Sequence, residues 1–222
     1  MDKELITYLE SFLTPHRKTL FQRILQDRTR YLTVVLENIY QPHNASAVLR
    51  TCECFGIQDI HIIENHNKYF INPDVALGAF KWLTLFRYNK NENNTADALT
   101  RLRDKGYRLV ATVTDRESIT LPEFDLDRGK TALLFGTELS GLSDEALNMA
   151  DEYLKIPIFG FTESFNISVS VGIILSHLVL KFHKKNYWKL TEEEKVQVYL
   201  EWLKSSIKSS GQIISNWKKN RF

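Results

Sequence analysis

Ser164, Asn166 and Ser168 stand where a short apolar strand beginning at Ile156 breaks at Pro157 and Gly160 and gives way to a long apolar helix. Hydroxyl and amide groups at a helix start sit beside unpaired backbone N–H groups and the positive end of the helix dipole, a combination suited to a polar ligand. Glu138 occupies a second such turn, between Gly136 and Gly141, where a charge has little purpose unless it faces a ligand or a cation such as Arg50. Two further polar turns, Asn38 to Asn44 and Thr112 to Asp115, also follow apolar runs. Ser164, Asn166 and Asn44 can equally be helix caps, and that simpler role stands beside the functional one.

The elements that must position these residues follow from hydrophobic periodicity. Strands are expected at Leu32–Leu36, Ile57–Ile63, Trp82–Phe86, Tyr107–Val113, Thr131–Phe135 and Tyr153–Ile156. Helices are expected over 3–13, 16–28, about Ala45 to Phe55 and Thr95 to Lys105, from Ser143, after Asn166, and from the Thr191–Glu194 capping box onward. Residues 65–80 and 115–130 read as loops. Strands alternating with helices indicate an α/β domain with a mostly parallel sheet covered on both faces. In such a sheet all four polar turns lie along the carboxyl edge, where ligands bind. The turn after the first strand, Gln41-Pro42-His43-Asn44, has none of the glycines of a dinucleotide-binding loop, and no Walker-type glycine-lysine loop is present.

Charge is distributed unevenly over the 222 residues. Residues 31–180 carry thirteen Lys or Arg against nineteen Asp or Glu, whereas residues 181–222 carry ten against four. Basic ends on an acidic centre suit a polyanion, as well as simple solvation. No apolar run reaches the roughly 20 residues of a membrane span. Met1-Asp2-Lys3-Glu4 lacks the layout of a signal peptide, and the two cysteines form no disulfide framework, so a cytoplasmic location is expected. Cys52 and Cys54 read as core thiols, with no metal expected; His43 reads as a turn residue and His177 as a satisfied core histidine. Ser168, Gly172 and Ser176, every fourth residue of an apolar helix, let another backbone approach and are expected at a helix–helix contact, either within the chain or at a dimer interface.

Three motifs give the chain a family resemblance. The first is Asn44-Ala45-Ser46-Ala47-Val48-Leu49-Arg50-Thr51-Cys52, followed by Phe55-Gly56. The second is Leu134-Phe135-Gly136-Thr137-Glu138-Leu139-Ser140-Gly141-Leu142-Ser143. The third runs from Ile156-Pro157 through Ser164-Phe165-Asn166-Ile167-Ser168-Val169-Ser170. In this order and spacing, over roughly residues 30–180, they resemble the SpoU/TrmH family of RNA ribose 2′-O-methyltransferases, of the SPOUT class. The resemblance implies a SPOUT-type sheet with a C-terminal trefoil knot at residues 31–184. It also implies basic helical extensions at 1–30 and 185–222, S-adenosylmethionine as cofactor, and a homodimer. The activity implied is tRNA (guanosine-2′-O-)-methyltransferase, acting on guanosine 18 of the D-loop. Neither metal nor membrane has a part in it.

By the same resemblance, Asn44, Arg50, Glu138, Ser164 and Asn166 are the catalytic set, and Thr112, Gly136, Ile156 and Phe165 hold the cofactor. Core packing is the simpler role for Ile156 and Phe165, and a surface ion pair for Arg50. A guanidinium holds its proton to high pH, so Arg50 is read as gripping a phosphate and stabilising a developing alkoxide. Arg17, Lys18, Arg23, Lys218, Lys219 and Arg221 are the expected RNA contacts. The chain departs from the tRNA branch at Leu139-Ser140, where Lys-Trp is common, at Phe165, where Leu is common, and at Phe80, where a histidine is common. A ribosomal-RNA methyltransferase and a non-catalytic RNA-binding protein of the same fold are the alternatives.

Overall fold

The computed structural model describes residues 2–114 and 116–219. In chain order the elements are α1 (Asp2–Glu10), α2 (Pro15–Leu25), β1 (Leu32–Glu37), α3 (Pro42–Cys54), β2 (Asp59–Ile63), α4 (Pro73–Ala76), β3 (Thr84–Tyr88), α5 (Thr95–Asp104), β4 (Arg108–Thr112), β5 (Ile119–Thr120), β6 (Thr131–Phe135), α6 (Asp144–Met149), β7 (Glu152–Lys155), α7 (Ile167–Phe182), α8 (Glu192–Ser206) and α9 (Ser210–Lys219). They fall into two units, residues 29–188 and residues 1–28 with 189–222.

The larger unit is built on one seven-stranded sheet of order β3-β2-β1-β6-β4-β7-β5, with every pairing parallel. The run Leu32-Thr33-Val34-Val35-Leu36 suits its centre because β-branched and leucine side chains fill both faces of a buried strand. Alternation sends Val34 and Leu36 to the core shared with α3 and α7, and Val35 to the core shared with α5 and α6. The carboxyl ends of β6, β4 and β7 are neighbours in this order, and β1 adjoins them, so the four polar turns do converge. The expected parallel sheet with helices on both faces is therefore present.

His61 on β2 is almost fully buried, stacked at 4.7 Å on Phe86 and 2.9 Å from the Tyr88 hydroxyl. Burial, with a smaller contribution from the Lys105 charge, lowers its pKa to about 3.

The smaller unit joins both terminal segments around one core that includes Leu9, Phe21, Val198, Trp202 and Leu203. Thr14 caps α2 by accepting from Arg17 N at 3.3 Å, with Pro15 at the first helical position. Thr191 and Glu194 form the capping box of α8. Phe21 packs edge-on to Trp202 at 5.6 Å, and the Arg28 guanidinium lies 5.4 Å over the same indole.

Several local expectations are corrected. Helix α3 begins at Pro42 rather than near Ala45, because proline is well suited to a first helical position. Residues 65–80 contain α4 and the start of a 3-10 turn, Ala79–Trp82, so the third strand starts at Thr84. The charged loop after β4 holds β5 and two 3-10 turns. The final helix breaks at Ser209, where φ is +59°, and α9 follows. Cys52 is buried as expected, but Cys54 is exposed. His177 is not satisfied: its Nε2 is buried without a hydrogen-bond partner. A Cβ on Gly172 would meet open space, so the small-residue stripe of α7 has no close helix partner at that point among the described residues.

Candidate active site

The site is assembled from one hydrogen-bonded cluster and one adjoining cavity. Asn44 lies in the first turn of α3, three residues after the cap position Gln41, and is buried. It is therefore not the cap of its helix. Its amide nitrogen donates to Gln41 Oε1 at 3.2 Å and to Glu138 Oε1, and its carbonyl oxygen accepts from Asn166 Nδ2 at 3.1 Å. Asn166 uses its own oxygen to cap α7, accepting from Ser168 N at 2.9 Å and Ser168 Oγ at 2.7 Å. The capping and site readings of Asn166 thus hold together. One residue from each of the three motifs meets at this cluster.

Glu138 sits on a tight turn. Thr137 and Gly141 exchange two backbone hydrogen bonds, at 2.9 and 3.0 Å, and Thr137 Oγ1 accepts from Ser140 N at 3.0 Å. Gly136 is obligatory at its base: a Cβ there would lie 2.1 Å from the Gly141 carbonyl and 2.2 Å from Leu142 N. Only a residue without a side chain allows the two backbones to approach so closely.

A cavity of about 480 Å³ opens beside this turn, lined by residues of the turns after β4, β6 and β7 and by α7. Thr112, Gly136, Ile156 and Phe165 all line it, as do Glu138 and Ser164. Thr112 is fixed by donating from its hydroxyl to Leu134 O at 2.8 Å. Ile158, Phe165 and Ile174 give the wall its apolar parts. Among the described residues, no backbone N–H from Ile158 to Phe165 has an acceptor in the protein. The turn therefore presents free donors beside apolar side chains, the pattern of a site for a flat heterocycle with polar edges.

Arg50 is not part of the cluster or the cavity lining. It is exposed on α3, six residues or roughly 9 Å of helix beyond Asn44, and makes no ion pair among the described residues. Glu138 pairs with Asn44 instead of with Arg50. Ser164 is exposed and its hydroxyl makes no hydrogen bond among the described residues. Arg17, Lys18 and Arg23 lie on α2 and Lys218 and Lys219 on α9, whereas Arg221 lies outside the described residues.

Sequence reasoning missed Glu37, which ends β1 and is 2% exposed. Its carboxylate accepts from Ser143 N and Oγ at 2.8 and 2.7 Å, and from Thr95 Oγ1 at 2.6 Å. A carboxylate closing an otherwise apolar strand beside a polar turn was the available signal.

Comparison with known proteins bears on this geometry. Residues 31–176 match the model of the SpoU rRNA Methylase family. A tRNA (guanosine(18)-2′-O)-methyltransferase of Borreliella burgdorferi is 42% identical over 95% of this chain and 94% of its own. The enzyme of the same description from Thermus thermophilus is 34% identical over 73% of this chain and 81% of its own. The crystal structure of the A. aeolicus TrmH/SpoU tRNA modifying enzyme superposes with a TM-score of 0.77 at 30% identity, covering 87% of this chain and 98% of that one.

Proposed function

The chain belongs to the SpoU methylase family, and from that premise we propose how its carboxyl-edge site works in methylating the ribose 2′-OH of guanosine 18 in tRNA. The activity is that of a tRNA (guanosine-2′-O-)-methyltransferase using S-adenosylmethionine. The observation that carries the reading is the meeting of Asn44, Glu138 and Asn166, one from each motif, with Glu138 also lining a cavity of ligand size.

The residues present fit the cofactor. Ile156, Phe165 and Ile174 offer apolar walls for an adenine, and the N–H groups of the lining residues Ile158, Glu163, Ser164 and Phe165 are free to read its edge. The volume of about 480 Å³ lies within the range of sites for molecules of this size. When bound, S-adenosylmethionine supplies an electrophilic methyl group on a sulfonium. Thr112 and Gly136, which line the cavity, would hold its adenosine part. Asn44, itself held by Asn166, fixes Glu138 in the cavity lining, and holding two reactants in line supplies much of a displacement rate. Ser164, exposed at the cavity, contacts the ribose. Arg50, exposed and without an ion pair among the described residues, grips the phosphate beside the target ribose and stabilises the 2′-oxygen as its proton passes to a phosphate oxygen.

Arg17, Lys18, Arg23, Lys218 and Lys219 contribute the electrostatic hold on tRNA, working in the cytosol. The segment from Ile156 into α7 is proposed as the threaded part of a trefoil knot. A homodimer is proposed through the exposed face of α7, where Gly172 leaves space and Val169 and Leu180 are exposed. Sedimentation velocity decides this, and a monomer at micromolar concentration overturns it.

The function itself is tested by labelled methyl transfer to unmodified tRNA transcripts with and without guanosine at position 18. Label should depend on that guanosine. Label that survives its replacement overturns the position, and no label on any RNA favours a binding protein.

A further inference from the structure

We infer that Glu37 is a positioning residue for the cofactor-binding turn, acting through Ser143. The inference rests on the reading of the cavity as the cofactor site. Glu37 is a carboxyl side chain at the end of β1, an interior strand, 2% exposed and without an ion pair among the described residues. Burying a carboxylate without a cation is costly unless several donors converge on it. Here three do so: the Thr95 hydroxyl at 2.6 Å, the Ser143 hydroxyl at 2.7 Å and the Ser143 N–H at 2.8 Å. Thr95 opens α5 and Ser143 caps α6, so the carboxylate is bonded to the first residues of two helices.

These bonds fix the turn as well as the carboxylate. Ser143 is held at both backbone and side chain, since its hydroxyl also accepts from Ala146 N at 3.2 Å. The preceding residues, Gly141 and Leu142, are the ones whose backbone lies against Gly136. Gly141 in turn pairs with Thr137, the neighbour of Glu138. One end of the turn is set by β6, whose Phe135 is in register with Leu36 of β1. The other end is set by Glu37, the next residue along β1. Adjacent residues of a single strand therefore clamp both ends of the turn that floors the cavity and carries Glu138.

The two partners of Glu37 separate this role from ordinary stability. Ser143 belongs to the turn, whereas Thr95 belongs to α5. The side-chain partners of Thr95 are Glu37, Asn65 and Asn93, none of which lines the cavity. Affinity for S-adenosylhomocysteine is to be measured by calorimetry for the full chain and for the variants Glu37→Gln, Ser143→Ala, their double, and Thr95→Val, with thermal unfolding of each. Glu37→Gln and Ser143→Ala should each weaken binding roughly tenfold, the size of one missing charge-assisted hydrogen bond. The double should be no weaker than the poorer single. Thr95→Val should lower the unfolding temperature yet bind within about twofold of the parent. Equal loss of binding in Thr95→Val, or parental binding in Glu37→Gln and Ser143→Ala, overturns the inference. Should Glu37→Gln fail to fold, Ser143→Ala against Thr95→Val decides the matter alone. A parent chain that binds no S-adenosylhomocysteine overturns the cofactor reading itself, a result distinct from either.

Discussion

Asn166 donates from its side-chain amide to Asn44 Oδ1 at 3.1 Å, joining residues 122 positions apart. Asn44 passes the chain of hydrogen bonds on to Glu138, so that helix starts α3 and α7 and the turn after β6 share one polar node. Both asparagines have a second fixed partner, Gln41 for Asn44 and Ser168 for Asn166. A node of this kind holds geometry because neither can rotate without leaving another group unpaired.

The two duties of Asn166 can be separated. Asn166→Ser keeps a capping oxygen for α7 and so retains stability to a few tenths of a kcal/mol, but it breaks the link to Asn44. Asn166→Ala should cost about 1 kcal/mol more. Both should lose methyl transfer by on the order of 10²-fold, the scale of one removed site donor. Chemical denaturation and single-turnover transfer check this, and full activity in Asn166→Ser would leave the residue as a cap alone.

Arg50→Ala should abolish transfer while S-adenosylhomocysteine binds normally, since Arg50 lies off the cavity lining. Stability should stay within about 0.5 kcal/mol, as expected for an exposed residue without an ion pair. Loss of cofactor binding in this variant would refute the phosphate-gripping role.

Gly136→Ala forces a methyl into backbone 2.1 Å away, which no rotamer change relieves. The turn must open, at a cost of roughly 1–3 kcal/mol or more. Calorimetry should show cofactor binding lost together with lowered stability, and parental binding would mean that the close approach is not needed.

Acid should destabilise the chain in part through His61. The unfolded chain takes up a proton near the ordinary value of 6.5, whereas the folded residue does so only near 3. Stability is therefore fully present above 6.5 and falls as pH drops from 6.5 toward 3, by up to about 1.4 kcal/mol per pH unit for this one proton. In urea titrations from pH 7 to 5, His61→Phe should show a flatter dependence than the parent. Identical slopes would place the acid sensitivity elsewhere.

Replacing Arg23, Lys218 and Lys219 by alanine should weaken tRNA binding. It should also reduce the slope of log affinity against log salt by roughly 0.7–0.9 for each phosphate that is no longer neutralised. Binding isotherms across a salt series measure it, and an unchanged slope would make these side chains simple solvation.

Local physics made much of the chain legible. The apolar run of β1, the Thr14-Pro15 and Thr191–Glu194 signals, and the alternation of strands with helices depend on neighbours within a few residues, and the fold keeps them. The three motifs, with their order and spacing, already pointed to a family and to Thr112, Gly136, Ile156 and Phe165, which line one cavity. Partner choice was not legible. Asn44 read as a catalytic residue or a cap and Glu138 as facing a ligand or Arg50, with no sign that they bond to each other; Glu37 read only as a strand end. A side chain has several hydrogen-bonding options of similar worth within reach of its own sequence. Which one is realised depends on the sheet order β1-β6-β4-β7, which brings distant turns together and excludes water between them. That order is set by packing over the whole domain, so only the tertiary structure decided it.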